Sequence, residues 1–427
     1  MAFPYRTATR HLPGRVGRGP PFVGYYRMER PTPDREESTV SIDSVSIDEV
    51  LRVAVERGDV PNVVAIAADR DGVIYRGAAG PRSAESSDPI SADTHFRVMS
   101  MTKMVATVAA LQLVEANRLD LDAPIDTYCP EFADVQVLDG FDGDTPRLRA
   151  PASRATVKQL VTHTTGLGYW FFDEKLAKWE AATSTPNVLS GANVIFTAPL
   201  LADPGTTYVY GINTDWLGKV VEAAGGVGLD VAIKDGITGP LGMDETAFQI
   251  ADAWKDGGLT PVQAKVDGAW VDSGIELNQS PEYYAGGHGL YSTPNDYIKF
   301  EQALLRGGEL DGVRILASET VDAAFTNQIG ELDFPPHIPS ADPAATHEFT
   351  VGPGWKWGYG LLLNTEDLPG MRRAGSGAWA GLCNTHFWVD RTTGICASIY
   401  SNFLPFVTPE AFALYNHYEQ ALYAALA

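Results

Sequence analysis

Cysteine is scarce in this 427-residue chain, basic residues are outnumbered, and no long apolar run occurs. Cys129, Cys383 and Cys396 are too few and too widely spaced for a disulfide framework or a zinc site. Free buried thiols in a reducing, cytoplasmic setting are therefore expected. The most apolar stretch, Met104 to Val114, has 11 residues, which suits a buried helix and falls short of the roughly 20 that span a bilayer. The first 35 residues scatter Pro and Gly among arginines and lack the continuous apolar core of a secretory leader, so none is expected. Lys and Arg number 32 against 54 Asp and Glu, a formal charge of −22. With no basic excess to displace phosphate counterions, nucleic acid and anionic membrane are not expected partners. Absent also are a Gly-x-Ser-x-Gly elbow, a phosphate-binding Gly-x-x-x-x-Gly-Lys-Ser/Thr loop, His-Glu-x-x-His and a helix-opening Gly-x-Gly-x-x-Gly. Their absence argues against a conventional α/β-hydrolase, an NTPase, a zincin and a dinucleotide enzyme.

What is present is ordinary globular composition, 44% hydrophobic and 20% charged, long enough for a large core and two packed subdomains. Residues 1–41 form a basic Pro/Gly/Arg-rich arm, read either as a docking extension or as a disordered one, and no chemistry is assigned to it. Ser46 to Arg57 has helical periodicity behind a Ser-x-x-Glu capping box. Asn62 to Ala68 and Val73 to Ala78 form a hairpin about Asp71-Gly72. A buried helix is expected from Ser100 to Ala116. Helical patches follow at Thr156 to Thr162 and Thr214 to Ala224, and Thr293-Pro294-Asn295-Asp296 starts another helix. Strands are expected at Tyr359 to Leu363, Thr385 to Val389 and Ile395 to Tyr400, then a closing amphipathic helix from Thr408-Pro409-Glu410. The expected architecture is α+β, a sandwich in which a mainly antiparallel sheet is flanked by helices. Residues 42–118 and 286–427 would build the sheet domain, and 119–285 an inserted helical and loop subdomain, with a cleft between them.

The chemistry is carried first by Ser100-Met101-Thr102-Lys103. A three-residue spacing on a helix stacks the ammonium one turn from the hydroxyl. Lys103 is the sole charge between Arg97 and Glu115. A cation in so apolar a helix needs a partner or a function, and desolvation makes it easier to deprotonate. A serine at a helix start also offers a free backbone N–H to an oxyanion. The bland alternative is a lysine that snorkels to the surface.

Phe96-Arg97-Val98-Met99-Ser100-Met101-Thr102-Lys103, followed by Leu119-Asp120-Leu121-Asp122-Ala123-Pro124-Ile125, resembles the serine β-lactamase and penicillin-binding superfamily. More narrowly it is similar to the class C β-lactamase-like esterases, the family VIII carboxylesterases. Leu160-Val161-Thr162-His163-Thr164-Thr165-Gly166-Leu167, Pro204-Gly205-Thr206-Thr207-Tyr208-Val209-Tyr210, Gly286 to Thr293 and Phe387-Trp388-Val389-Asp390 extend the resemblance in order over about 45–425. It implies a β-lactamase/transpeptidase-like fold and a Ser100 acyl-enzyme.

The resemblance further implies Tyr210 as partner of Lys103 in accepting the Ser100 proton, with Tyr208 the rival; which of Lys103 and Tyr210 is the base stays open. Ile212 stands where the family has Asn, and Asn213 follows one residue late. The third motif is matched by Trp379-Ala380-Gly381, or alternatively by Gly375-Ser376-Gly377. In the first register Gly381 would admit substrate to the strand, and the N–H of Leu382 would join that of Ser100 in an oxyanion hole. Trp379 replaces the family's lysine, which disfavours a β-lactam carboxylate. Tyr169, Trp170 and Phe171, with Phe172, are expected to shape an ester pocket; Trp355, Trp357 and Glu282-Tyr283-Tyr284 are weaker candidates to line or rim it. His163, His288 and His386 are read as core or loop histidines. The expected function is hydrolysis of small carboxylic esters without metal or organic cofactor. A β-lactamase, a D-amino-acid peptidase, an acyltransferase and a non-catalytic binding module are the alternatives. The oligomeric state is open, a homodimer included.

Overall fold

The computed structural model describes residues 45–255 and 258–426; the arm expected over 1–41 lies outside the described residues. Seven strands form one antiparallel sheet. They are β1 (Val63–Ala68), β2 (Val73–Ala79), β3 (Trp355–Trp357), β4 (Leu362–Asn364), β5 (Gly377–Gly381), β6 (Thr385–Asp390) and β7 (Ile395–Tyr400). The order across the sheet is β3-β4-β5-β6-β7-β1-β2, so the β7–β1 pairing joins strands from the early and late parts of the chain inside one sheet. Strands β1, β6 and β7 are buried at every position. That is why they read in sequence as continuous apolar runs and not as alternating ones.

Alternation within those runs sorts side chains to the two faces. Val64, Ile66, Phe387 and Val389 point to a front core with α2 (Thr102–Glu115), α3 (Asn213–Gly225) and α4 (Pro294–Leu305). Ala65, Ala67, Trp388 and Ala397 point to a rear core under α1 (Val45–Glu56) and α5 (Pro409–Ala425). Helix α2 is buried from Thr102 through Leu111, which accounts for its lack of a polar face. No described helix is long and apolar enough to cross a membrane.

Local signals act largely as expected. Thr293 and Thr408 cap α4 and α5 by accepting the N–H of Asp296 and Ala411 at 3.2 Å each. Thr156 and Gln159 form a reciprocal capping box ahead of Val157–Val161. The box expected at Ser46 is not one: the helix already includes Val45, and Glu49 is bonded to Arg52 instead. The strand expected from Tyr359 starts at Leu362, and Trp355–Trp357 adds one that lacked a sequence signal. Within 119–285 the structure adds two hairpins, Val137–Asp142 with Thr145–Arg149 and Gln263–Val266 with Ala269–Asp272.

Candidate active site

Ser100 lies in a short 3₁₀ turn, Met99–Met101, that leads directly into α2. The preceding Met99 has φ of +47°, a left-handed conformation that costs energy for a side chain bearing a Cβ. The turn is wedged against β5. A Cβ on Gly381 would fall 2.3 Å from the Val98 carbonyl oxygen and 3.0 Å from the Met99 Cβ. Gly381 is thus required by the chain's own packing. Its neighbours Ala380 and Leu382 line the cavity at Ser100.

One helical turn on, Lys103 is buried at 1% exposure and its Nζ reaches three acceptors. These are Ser100 Oγ at 3.1 Å, Tyr169 Oη at 3.0 Å and the Gly287 carbonyl at 2.7 Å. The same nitrogen stands 4.7 Å from the centroid of the Tyr210 ring and 5.1 Å from that of Tyr169. Burial pushes the ammonium well below its ordinary range, and the charge of Asp215 restores part of the loss. Of the three acceptors, the carbonyl can only accept. A neutral amine that keeps donating to Gly287 and Tyr169 therefore turns its lone pair toward the Ser100 hydroxyl.

Tyr210 completes the cluster. Its phenol is hydrogen-bonded to Ser100, and Trp379 Nε1 donates to Tyr210 Oη at 3.0 Å. Burial pushes the phenol up; the two hydrogen bonds favour the phenolate and oppose that shift. The rival Tyr208 packs instead between Phe334 and Trp357, with ring centroids 5.0 and 5.3 Å away, and its hydroxyl has no partner among the described residues. Trp379 itself is braced edge-on by Trp357 at 4.6 Å. In the alternative register, Gly377 backs onto Leu361 and Phe325, away from Ser100.

Asp215, on α3, was not singled out from the sequence. It is fully buried, its Oδ1 accepts the Gly287 N–H at 3.0 Å, and its Oδ2 has no partner among the described residues. Burial pushes its carboxyl up and Lys103 pulls it down. Gly287 therefore links the two charges, its carbonyl toward Lys103 and its N–H toward Asp215. A Cβ there would meet Asp215 Oδ2 at 2.4 Å. The available signal was one acid on the buried face of an amphipathic helix.

In front of Ser100 opens a cavity of about 300 Å³ whose walls include Tyr210, Phe171, Phe172, Trp379 and Leu382. Ala380 and Trp355 also line it. Trp170 does not: it turns away into a small pocket with Trp179, Ile195 and Ile212. Tyr169 belongs to the lysine's cage and not to the cavity wall. Trp357 is buried behind Trp379, and Glu282, Tyr283 and Tyr284 stand off the cavity. Asn213 cannot reach substrate. Its amide bonds the Leu167 and Val209 carbonyls and the Thr165 hydroxyl.

The histidines are packing groups. His163 is enclosed by Tyr208, Tyr210 and Trp357. His288 comes within 3.8 Å of Asp215, and burial pushes it down to about 3. His386, also pushed down to about 3 by burial, stacks on Tyr415 across the sheet from α2. Among the described residues no group of three or more His, Cys, Asp or Glu is placed to hold a metal.

The sequence model of the family described as Beta-lactamase matches residues 47–422. A lovastatin esterase of Penicillium rubens is 32% identical over 371 residues, covering 82% of this chain and 90% of that protein. A monacolin J acid methylbutanoyltransferase of Aspergillus terreus is 30% identical over 403 residues, covering 89% and 95%. The unliganded structure of the simvastatin synthase of the same fungus superposes with a TM-score of 0.73 at 28% identity, covering 89% of this chain and 98% of that one.

Proposed function

Because the chain belongs to the beta-lactamase family, with esterases and acyltransferases among its relatives, we propose that it is a serine carboxylesterase acting through a Ser100 acyl-enzyme. The observation that carries this reading is the Lys103 nitrogen held at once on Ser100 Oγ, Tyr169 and the Gly287 carbonyl in a dry setting. A desolvated amine so placed is a base for the Ser100 hydroxyl.

In the proposed cycle the Ser100 proton passes to Lys103 as Oγ attacks the ester carbonyl. The N–H groups of Ser100 and Leu382 hold the tetrahedral oxygen. The N–H of Ser100 is free because the turn begins one residue earlier, where no upstream carbonyl closes the helical pattern. Tyr210, kept as a phenol by burial, gives its proton to the departing alkoxide and recovers one from the Lys103 ammonium. A water or alcohol then loses its proton to the same pair, attacks the acyl-enzyme and restores Ser100.

The relatives include both a hydrolase and a transferase, so transfer of the acyl group to an alcohol is the second reading. Hydrolysis of β-lactams is disfavoured. Trp379 occupies the strand position of the expected cation, and Arg372, the guanidinium in the cavity wall, is already neutralised by Glu419 at 2.6 Å.

The test is turnover of p-nitrophenyl acetate beside a chromogenic cephalosporin, with and without an alcohol acceptor. Ester cleavage without cephalosporin cleavage, abolished in Ser100→Ala, is expected, together with a mass increase of one acetyl group on Ser100 in quenched samples. Equal rates for wild type and Ser100→Ala would sink the proposal. A new ester of the added alcohol would identify transfer.

A further inference from the structure

The cavity at Ser100 does not stop at the sheet. Strand β5 is paired with β6 along its whole length, from Gly377↔Val389 to Gly381↔Thr385, but with β4 only at Gly377 and Ala378. Trp379, Ala380 and Gly381 therefore present an unpaired edge beside the nucleophile. Around that edge the cavity continues onto the rear face: Trp379 faces Ser100, whereas Ala378 and Ala380 face α5. Both rear positions are alanine, which leaves space between the sheet and α5. Met371, Phe406 and Phe412 wall that space with apolar surface.

Its charges are spent on one another. The Arg372 side chain and N–H both bond the Glu419 carboxylate, and the guanidinium also bonds Tyr415. His386 stacks on Tyr415 and Phe406 with ring centroids 4.6 and 5.7 Å away. The chamber thus offers aromatic and aliphatic walls and no net charge.

Building on the acyl-enzyme reading above, we infer that this rear chamber binds the acyl chain of the substrate, an uncharged extended aliphatic or aryl group that runs from Ser100 past the free edge of β5. The acyl side is chosen for a mechanistic reason. The alcohol must depart and its replacement must arrive at the same carbonyl, while the acyl group stays bonded to Ser100 Oγ through both half-reactions. A recess behind the sheet suits the part that stays. The whole cavity lies at the lower end of the range that holds small molecules.

The experiment compares kcat/KM for p-nitrophenyl octanoate and p-nitrophenyl acetate in the wild type and in two variants that fill the chamber from different walls, Asn416→Trp, at a position of α5 that lines the chamber, and Met371→Trp. The octanoate-to-acetate ratio is expected to fall at least tenfold in each variant that folds. The preference among acetates of short and long alcohols should not change. An unchanged octanoate-to-acetate ratio overturns the subsite, and so does a loss confined to long alcohols. A wild type that cleaves no ester at all would instead overturn the acyl-enzyme reading on which the subsite rests.

Discussion

At the scale of single residues, the site holds one desolvated nitrogen whose charge state is set by burial and partly restored by a neighbour. Asp215 favours the ammonium form of Lys103, and burial opposes it. In the proposed cycle the amine is the active form, so activity should rise with pH as Lys103 loses its proton. Asp215→Asn removes the negative charge, lowers the Lys103 value further and moves the acid limb of the kcat/KM profile to lower pH. A shift of about one pH unit is expected from loss of an adjacent opposite charge. The readout is the limb's midpoint in the ester assay, and an unmoved midpoint would mean that Lys103 is not the titrating base. Ser100, Lys103 and Tyr210 were legible because helical spacing and motif order mark them. Asp215 was not, because its connection to Lys103 runs through the Gly287 backbone, 72 residues along the chain from Asp215, and spacing along a chain does not encode such a link.

At the scale of elements, the decisive contact is that of β5 against the turn carrying Ser100. Gly381 lets the strand lie against the Val98 carbonyl, next to Leu382, whose N–H is the second donor of the proposed oxyanion hole. Gly381→Ala places a Cβ 2.3 Å from that carbonyl and from Thr385 Oγ1, so the strand must move. Overpacking of this kind costs about 1–3 kcal/mol, measurable by urea unfolding. The more specific expectation is a fall in kcat for p-nitrophenyl acetate larger than any change in KM, because in the proposed cycle the displaced N–H acts in the transition state. A variant destabilised to that degree with kcat intact would remove Leu382 from the mechanism. The strand itself could be counted from the motif. So could β6, expected over Thr385 to Val389, whereas β3 and β4 are three residues each, too short for periodicity to fix their bounds, and the start of β4 at Leu362 and not at the expected Tyr359 is what frees the edge beside Ser100.

At the scale of the molecule, both termini of the described chain pack on the rear of the sheet, α1 from one end and α5 from the other. The Arg372–Glu419 pair fastens α5 to the loop between β4 and β5. Both groups are almost fully buried, at 4% and 1% side-chain exposure. Removing one partner leaves the other charge unpaired in the interior, which costs about 3–5 kcal/mol. Glu419→Gln should therefore lower the urea midpoint by an amount corresponding to roughly 3 kcal/mol, whereas replacing both residues with apolar ones of similar volume should recover much of it. A single variant as stable as the wild type would show that the pair does not hold the helix.

The sequence alone determined what is local. Helix starts with a side-chain oxygen to cap them, buried strands recognisable as apolar runs, the stacking of Ser100 and Lys103 on one helical face, and the shortage of basic charge all follow from interactions within a few residues or from composition. Only the folded chain decided that Phe171 and Phe172 line the cavity at Ser100 while Trp170 turns into a separate pocket. The same holds for the removal of Asn213 from the cleft by two bonds to backbone carbonyls and one from the Thr165 hydroxyl, and for the pairing of Tyr210 with Trp379, 169 residues apart. Those outcomes depend on close packing between distant segments, where a fraction of an ångström decides whether a group faces the cavity or the core, and no periodicity in one strand or helix carries that information.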